Sequence, residues 1–160
     1  MTIKVGDKIP SVKLRHMTKD GPKDITTDEI FKGKKVVLFA LPGAFTPTCS
    51  AKHLPGFVEK VAELKAKGVD EIWCISVNDA FVMGAWGKQQ NTDGKVLMLA
   101  DGSATFTKQL GLELDLTGPG MGIRSKRYAM VVDNGVVKAL NVEAPGAFEV
   151  SSADAILKAL

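Results

Sequence analysis

Val36-Val37-Leu38-Phe39-Ala40-Leu41-Pro42-Gly43-Ala44-Phe45-Thr46-Pro47-Thr48-Cys49-Ser50 is the stretch from which the rest of the chain can be ordered. Its first five residues are continuously apolar, the pattern of a strand covered on both faces. Pro42 and Gly43 end that strand. Thr46 suits a helix N-cap and Pro47 the N1 position, where a missing N–H costs nothing. Downstream, Leu54, Phe57, Val58, Val61 and Leu64 recur at helical spacing, and Gly68 is placed to end that helix. Residues 72–77 read as a second strand, followed by a helix capped by Asn78-Asp79 and running to about residue 90. Residues 96–100 read as a third strand. Ser103 then caps a short helix through Leu110, closed by Gly111. Residues 128–132 and 136–142 flank Asp133-Asn134-Gly135, a strong hairpin signal. Ser151 or Ser152 caps a final helix over residues 153–160. Strand–helix–strand steps predict parallel pairs with right-handed crossovers, and the hairpin adds antiparallel strands. The expectation is one α/β domain over residues 1–160, a mixed central sheet with helices on both faces.

Composition narrows the function. The chain has 160 residues, 45 % hydrophobic, with 21 Lys+Arg against 18 Asp+Glu and a net charge of +3. That balance is too weak to argue for nucleic acid. The longest apolar run, residues 36–42, falls far short of the ~20 residues of a membrane span. Two cysteines do not make a disulfide scaffold. The opening residues carry no apolar core of a signal peptide and are not Arg-rich, so the expected location is cytoplasmic, or an organelle if a transit peptide has been removed.

Cys49 carries the chemistry. It falls in the first turn of a helix, where unpaired N–H groups and the positive dipole end favour a thiolate. It also follows the C-terminal end of a central strand, where α/β proteins place their sites. The competing possibility is an inert buried thiol. Pro55 predicts a kink or break near residues 52–54, separating the Cys49 turn from the amphipathic stripe. Cys74, on a strand, is either a core thiol or a resolving partner for Cys49, and Cys49 would have to move to reach it. No Cys-x-x-Cys is present, and His16 and His53 lack metal-ligand spacing, so neither a dithiol centre nor a metal is expected. His53, four residues after Cys49, is either an exposed helix residue or an imidazole partner for the thiolate in a cysteine hydrolase. Gly118, Gly120 and Gly122 imitate a dinucleotide fingerprint without its strand and helix, and read instead as a mobile loop leading to Arg124-Ser125-Lys126-Arg127. Arg127 is either part of a solvated charge cluster or a guanidinium aimed at Cys49.

The run Pro42-Gly43-Ala44-Phe45-Thr46-Pro47-Thr48-Cys49-Ser50 and the later Arg124-Ser125-Lys126-Arg127-Tyr128 resemble the active-site motifs of peroxiredoxins, in particular the peroxiredoxin 5 subfamily with the plant and bacterial type II enzymes. The resemblance spans essentially the whole chain. It implies a thioredoxin-like fold and a thiol peroxidase acting on hydrogen peroxide and alkyl hydroperoxides, without metal or haem. By motif, Cys49 would be the peroxidatic cysteine, Thr46 the hydroxyl that bonds peroxide and thiolate, Pro42 the shield and Arg127 the activating guanidinium. Backbone N–H groups from Gly43 onward would help hold the peroxide. The resemblance further implies a homodimer and reduction by glutaredoxin with glutathione, or by thioredoxin. A resolving cysteine found late in some relatives has no counterpart after Cys74, so direct resolution by the external thiol is expected. The rival from another class is a redox-responsive binding protein in which oxidised Cys49 alters a partner surface.

Overall fold

The computed structural model describes residues 2–160. The apolar run forms β3 (Lys35–Ala40), in which Val36 through Ala40 have no exposed surface. It is flanked on one side by β4 (Glu71–Ser76), parallel, and on the other by β8 (Tyr128–Asp133), antiparallel. Beyond β4 lies β5 (Leu97–Ala100), also parallel; beyond β8 lies β9 (Val136–Val142), antiparallel. The expected hairpin between β8 and β9 turns through Asn134 and Gly135, both with positive φ (47° and 81°), as the tight turn requires.

Two further strands complete the sheet. β1 (Lys13–Thr18) and β2 (Gly21–Thr26) form a hairpin that joins β5 antiparallel, for the order β2-β1-β5-β4-β3-β8-β9. Their signal was Asp20-Gly21, where the chain turns through Lys19 and Asp20 into Gly21 with a positive φ of 98°, since these half-buried strands carry little apolar patterning.

Alternate residues of the central strands serve two cores. Val37, Phe39, Ile72 and Cys74 face Cys49, Leu54, Phe57, Met83, Trp86 and Ile156. Val36, Leu38, Trp73 and Ile75 face Ile30, Phe31, Phe106 and Leu110. The first face is covered by α2 (Leu54–Glu59), α3 (Val61–Ala66), α4 (Ala80–Gln89) and α6 (Ala153–Ala159); the second by α1 (Thr27–Phe31) and α5 (Thr105–Leu110). Helices therefore lie on both faces of a mixed sheet, as expected.

Local expectations changed in four places. The chain does not break before Pro55: Cys49–His53 form a π-helical turn, and the Leu54 N–H reaches back to the Cys49 carbonyl. The wider turn lets the chain continue into α2 although Pro55 donates no hydrogen bond. The stripe from Leu54 to Leu64 is divided between α2 and α3 at Lys60, whose backbone leaves the helical region (φ −100°, ψ 11°). Helix α5 is capped by the Asp101 carboxylate, which accepts from the N–H groups of Phe106 and Thr107, and Ser103 has no part in it. The glycine-rich stretch is not a loop throughout: β6 (Glu113–Leu116) and β7 (Gly122–Ser125) pair as a separate antiparallel hairpin. Its paired backbone shows why the dinucleotide-like spacing is incidental.

Candidate active site

Cys49 lies just beyond the C-terminal end of β3, on the Leu54 and Phe57 side of the sheet, and has no exposed surface. The Ser50 N–H donates to the Thr46 carbonyl at 2.9 Å, so the helix does begin at Thr46. The Thr46 side chain, however, does not cap it. Its hydroxyl donates to the Gly43 carbonyl at 2.6 Å, which commits the proton and leaves the oxygen lone pairs as acceptors. Around this turn, Asn78 Oδ1 accepts from the Ala44 N–H at 3.0 Å and from the Ser76 hydroxyl at 2.6 Å. The Ala44 N–H is thereby occupied and cannot contribute to an anion site. Trp86 Nε1 donates to the Ser50 hydroxyl at 3.0 Å and ties the first helical turn to α4.

Arg127, between β7 and β8, points into this site. Its Nη2 donates to the Cys49 sulfur at 3.2 Å. Its Nη1 lies 2.9 Å from His53 Nδ1, and His53 Nε2 lies 2.9 Å from the Ser151 carbonyl. A carbonyl only accepts and a guanidinium only donates, so the proton is on Nε2 and the imidazole is neutral. Burial first, and the neighbouring Arg127 charge second, push the His53 pKa down to about 3. The ring is fully buried against Phe39, Phe57 and Phe148, with centroids 5.0, 5.7 and 5.1 Å away. His53 is thus not the exposed residue expected. Nor is it paired with the sulfur, because its one acceptor nitrogen is taken by Arg127.

The network continues to Glu143, whose carboxylate was not singled out from the sequence. Its Oε2 accepts from the N–H groups of Glu149, Val150 and Ser151 (2.8–2.9 Å) and from the Ser151 hydroxyl at 2.6 Å. Burial works to raise the Glu143 pKa, but these donors, Ser151 foremost, hold it below the usual carboxylate value. Ser151 is thereby fixed, Ser151 orients His53, and His53 orients Arg127 on the sulfur. Arg124 was likewise missed as a contributor. Its Nη1 donates to the Pro42 carbonyl at 3.2 Å and its Nε to the Met121 carbonyl at 2.9 Å. Both residues were hidden for one reason: their partners are 82 and up to 8 positions away, at spacings that follow from strand placement and loop path.

Cys74 is also fully buried, on β4 opposite Phe39, and both cysteines are free. Burial, and after it the proximity of Cys49, pushes the Cys74 thiol well above its ordinary pKa. A cavity of about 180 Å³ adjoins the site at Pro42, Thr48 and Arg127 and is lined beyond them by Leu114, Pro145 and Ala147 among others. Pro42, Thr46, Cys49 and Arg127 are therefore brought together, with Gly43 between them, and Cys74 lies in the core below. Among the described residues, no group of three His, Cys, Asp or Glu side chains could hold a metal, and no helix is long and apolar enough to cross a membrane. Such a site can present a sulfur nucleophile to a small polar oxidant while a fixed guanidinium stabilises negative charge beside it.

Residues 4–157 match the family model described as Redoxin. The chain is 56 % identical over 164 residues to peroxiredoxin-2E-2, chloroplastic, of Oryza sativa subsp. japonica, covering 99 % of this chain and 73 % of that protein. It is 54 % identical over 159 residues to peroxiredoxin-2B of Arabidopsis thaliana, covering 99 % and 98 %. Among solved structures, reduced Prx3 of Vibrio vulnificus in complex with hydrogen peroxide superposes with a TM-score of 0.95 at 59 % identity, over 99 % of each chain.

Proposed function

Because the chain belongs to the Redoxin family and is a peroxiredoxin thiol peroxidase of the type II group, we propose that Cys49 is its peroxidatic cysteine and that hydrogen peroxide and alkyl hydroperoxides are its substrates. The observation that carries the assignment is the Arg127 Nη2 atom 3.2 Å from the buried Cys49 sulfur. The thiolate attacks the terminal oxygen of the peroxide, the S–O bond forms as the O–O bond breaks, and the sulfur is oxidised to sulfenic acid. The other oxygen leaves as hydroxide or alkoxide and takes a proton from solvent. Thr46, with its own proton on Gly43, accepts the peroxide O–H and so aligns the attacked oxygen. Arg127 donates to the charge that builds on the leaving oxygen. Pro42 screens the pocket from bulk water, and the Gly43 carbonyl holds the Thr46 hydroxyl in place.

An external thiol then displaces water from the sulfenic acid to give a mixed disulfide, which a second thiol reduces. We assign this role to glutaredoxin with glutathione, or to thioredoxin, and not to Cys74. The raised pKa of Cys74 keeps it protonated near neutrality, and a thiol is a poor attacking group. Phe45, in the loop before Cys49, and Phe81, at the start of α4, are 50 % and 65 % exposed, and we assign them to a homodimer contact. For location we propose the cytoplasm, or a plastid by analogy with the chloroplastic relative.

The deciding experiment treats reduced protein with one equivalent of hydrogen peroxide and measures intact mass without reductant. Gain of one oxygen on Cys49 is expected. Loss of two hydrogens in a monomer would make Cys74 the resolving thiol, and no reaction would refute the assignment of Cys49. Turnover of many equivalents by a catalytic amount separates this enzyme from a redox-responsive binding protein.

A further inference from the structure

The turn that leads from β3 to Cys49 is gripped from two sides by residues far away in sequence. Asn78 holds the Ala44 N–H on one side. On the other, Arg124 reaches across from β7 with two donors, Nε on the Met121 carbonyl and Nη1 on the Pro42 carbonyl. Nη1 occupies the space that Gly43 leaves by having no side chain. A Cβ on Gly43 would stand 2.8 Å from Nη1 and 3.3 Å from the Thr46 methyl. The Pro42–Gly43 peptide is planar, so fixing its carbonyl also fixes the Gly43 nitrogen and Cα. The next carbonyl, that of Gly43, is the one that accepts the Thr46 hydroxyl.

We infer that Arg124 is a positioning residue for the peroxidase reaction: by holding the Pro42 carbonyl it fixes the Gly43 carbonyl that takes the Thr46 proton, and so sets the direction in which the Thr46 lone pairs face the substrate. Arg124 acts through this turn, while the sulfur itself is held by Arg127. A side chain at position 43 would have to displace the guanidinium from the Pro42 carbonyl. The inference rests on the peroxidase assignment, since it concerns the alignment of peroxide at Thr46. Misplacing an aligned group by about 1 Å can cost roughly 100-fold in rate, and a loss of about 10- to 100-fold is the expected effect here.

The test measures the second-order rate of Cys49 oxidation by hydrogen peroxide in wild type, Arg124→Ala, Gly43→Ala and the double variant, alongside the pH profile of Cys49 alkylation by iodoacetamide. Arg124→Ala should slow oxidation 10- to 100-fold with the alkylation profile unmoved. Gly43→Ala should do the same by displacing Nη1 while leaving the Met121 bond. The double variant should be no slower than the slower single one. A rate for Arg124→Ala within twofold of wild type overturns the inference. So does an alkylation profile shifted enough to account for the loss, because Arg124 would then act as a charge on the thiolate. Additive losses in the double variant overturn it as well. If Arg124→Ala does not fold, Gly43→Ala decides alone, a tenfold loss supporting and a wild-type rate refuting. Failure of the activity itself is distinguishable, because wild type would then gain no oxygen.

Discussion

Arg127 divides its guanidinium between the Cys49 sulfur and the His53 imidazole, and a shorter or neutral side chain cannot serve both. Arg127→Gln is therefore expected to slow Cys49 oxidation by roughly 100- to 1,000-fold, the usual loss when one preorganised donor is removed. Stopped-flow mixing with peroxide checks this, and a wild-type rate would remove Arg127 from the mechanism. Cys74→Ser, by contrast, should retain turnover with glutaredoxin or thioredoxin, and its complete loss would return Cys74 to the cycle. Tyr128 makes a different point. Its hydroxyl is buried and is the one such side-chain atom among the described residues without a partner. Burial raises its pKa, and an unpaired buried hydroxyl costs about 1–3 kcal/mol. Tyr128→Phe should thus leave stability unchanged or raise it, and a lower urea midpoint would show that the hydroxyl is satisfied.

At the scale of elements, the site is assembled from four segments that local sequence could not relate. The helix start at Thr46, the Asp79 cap of α4, the Ser152 cap of α6 and the Asn134-Gly135 turn were all legible, because each is decided by residues within one turn of one another. The Asp101 cap of α5 and the path of residues 143–151 were not, since a carboxylate can reach any N–H that the fold brings to it. Glu143 gathers three backbone N–H groups and a hydroxyl, so Glu143→Ala should cost at least about 2 kcal/mol. Urea denaturation measures that loss. The same variant should slow peroxide reduction by freeing Ser151 and, through it, His53. Retention of full stability and rate would show that the loop is held by its apolar contacts alone.

For the whole molecule, burial of His53 makes stability depend on pH. Its pKa is about 3 when folded and near 6.5 when exposed, so between those values the unfolded chain binds the extra proton. Stability is then complete above about pH 6.5 and falls as the pH drops toward 3, with a limiting slope of about 1.4 kcal/mol per pH unit. Glu143 works in the same sense at the lower end, because its depressed pKa adds stability that is lost as the carboxylate protonates. Urea midpoints at pH 7 and pH 5 should differ in wild type, and the difference should shrink in His53→Gln. Equal shrinkage in His16→Gln alone would assign the effect to the other histidine, whose pKa burial also lowers.

What the sequence by itself determined is the order of the central elements from β3 to α5 and of β8, β9 and α6, the two-faced burial of the central strands, and the place of Cys49 at the start of a helix leaving one of them. These depend on periodicity and on caps, which are short-range, and the motifs from Pro42 to Ser50 and from Arg124 to Tyr128 were enough to identify the family. Tertiary structure decided which carboxylate, imidazole and guanidinium meet. It turned His53 inward, placed Arg124 over Gly43, and routed the Thr46 proton to the Gly43 carbonyl. The first two contacts join residues 98 and 82 positions apart that meet only when the sheet closes, the third is set by the backbone path of one tight turn, and hydrogen bonds of either kind leave no period in the chain.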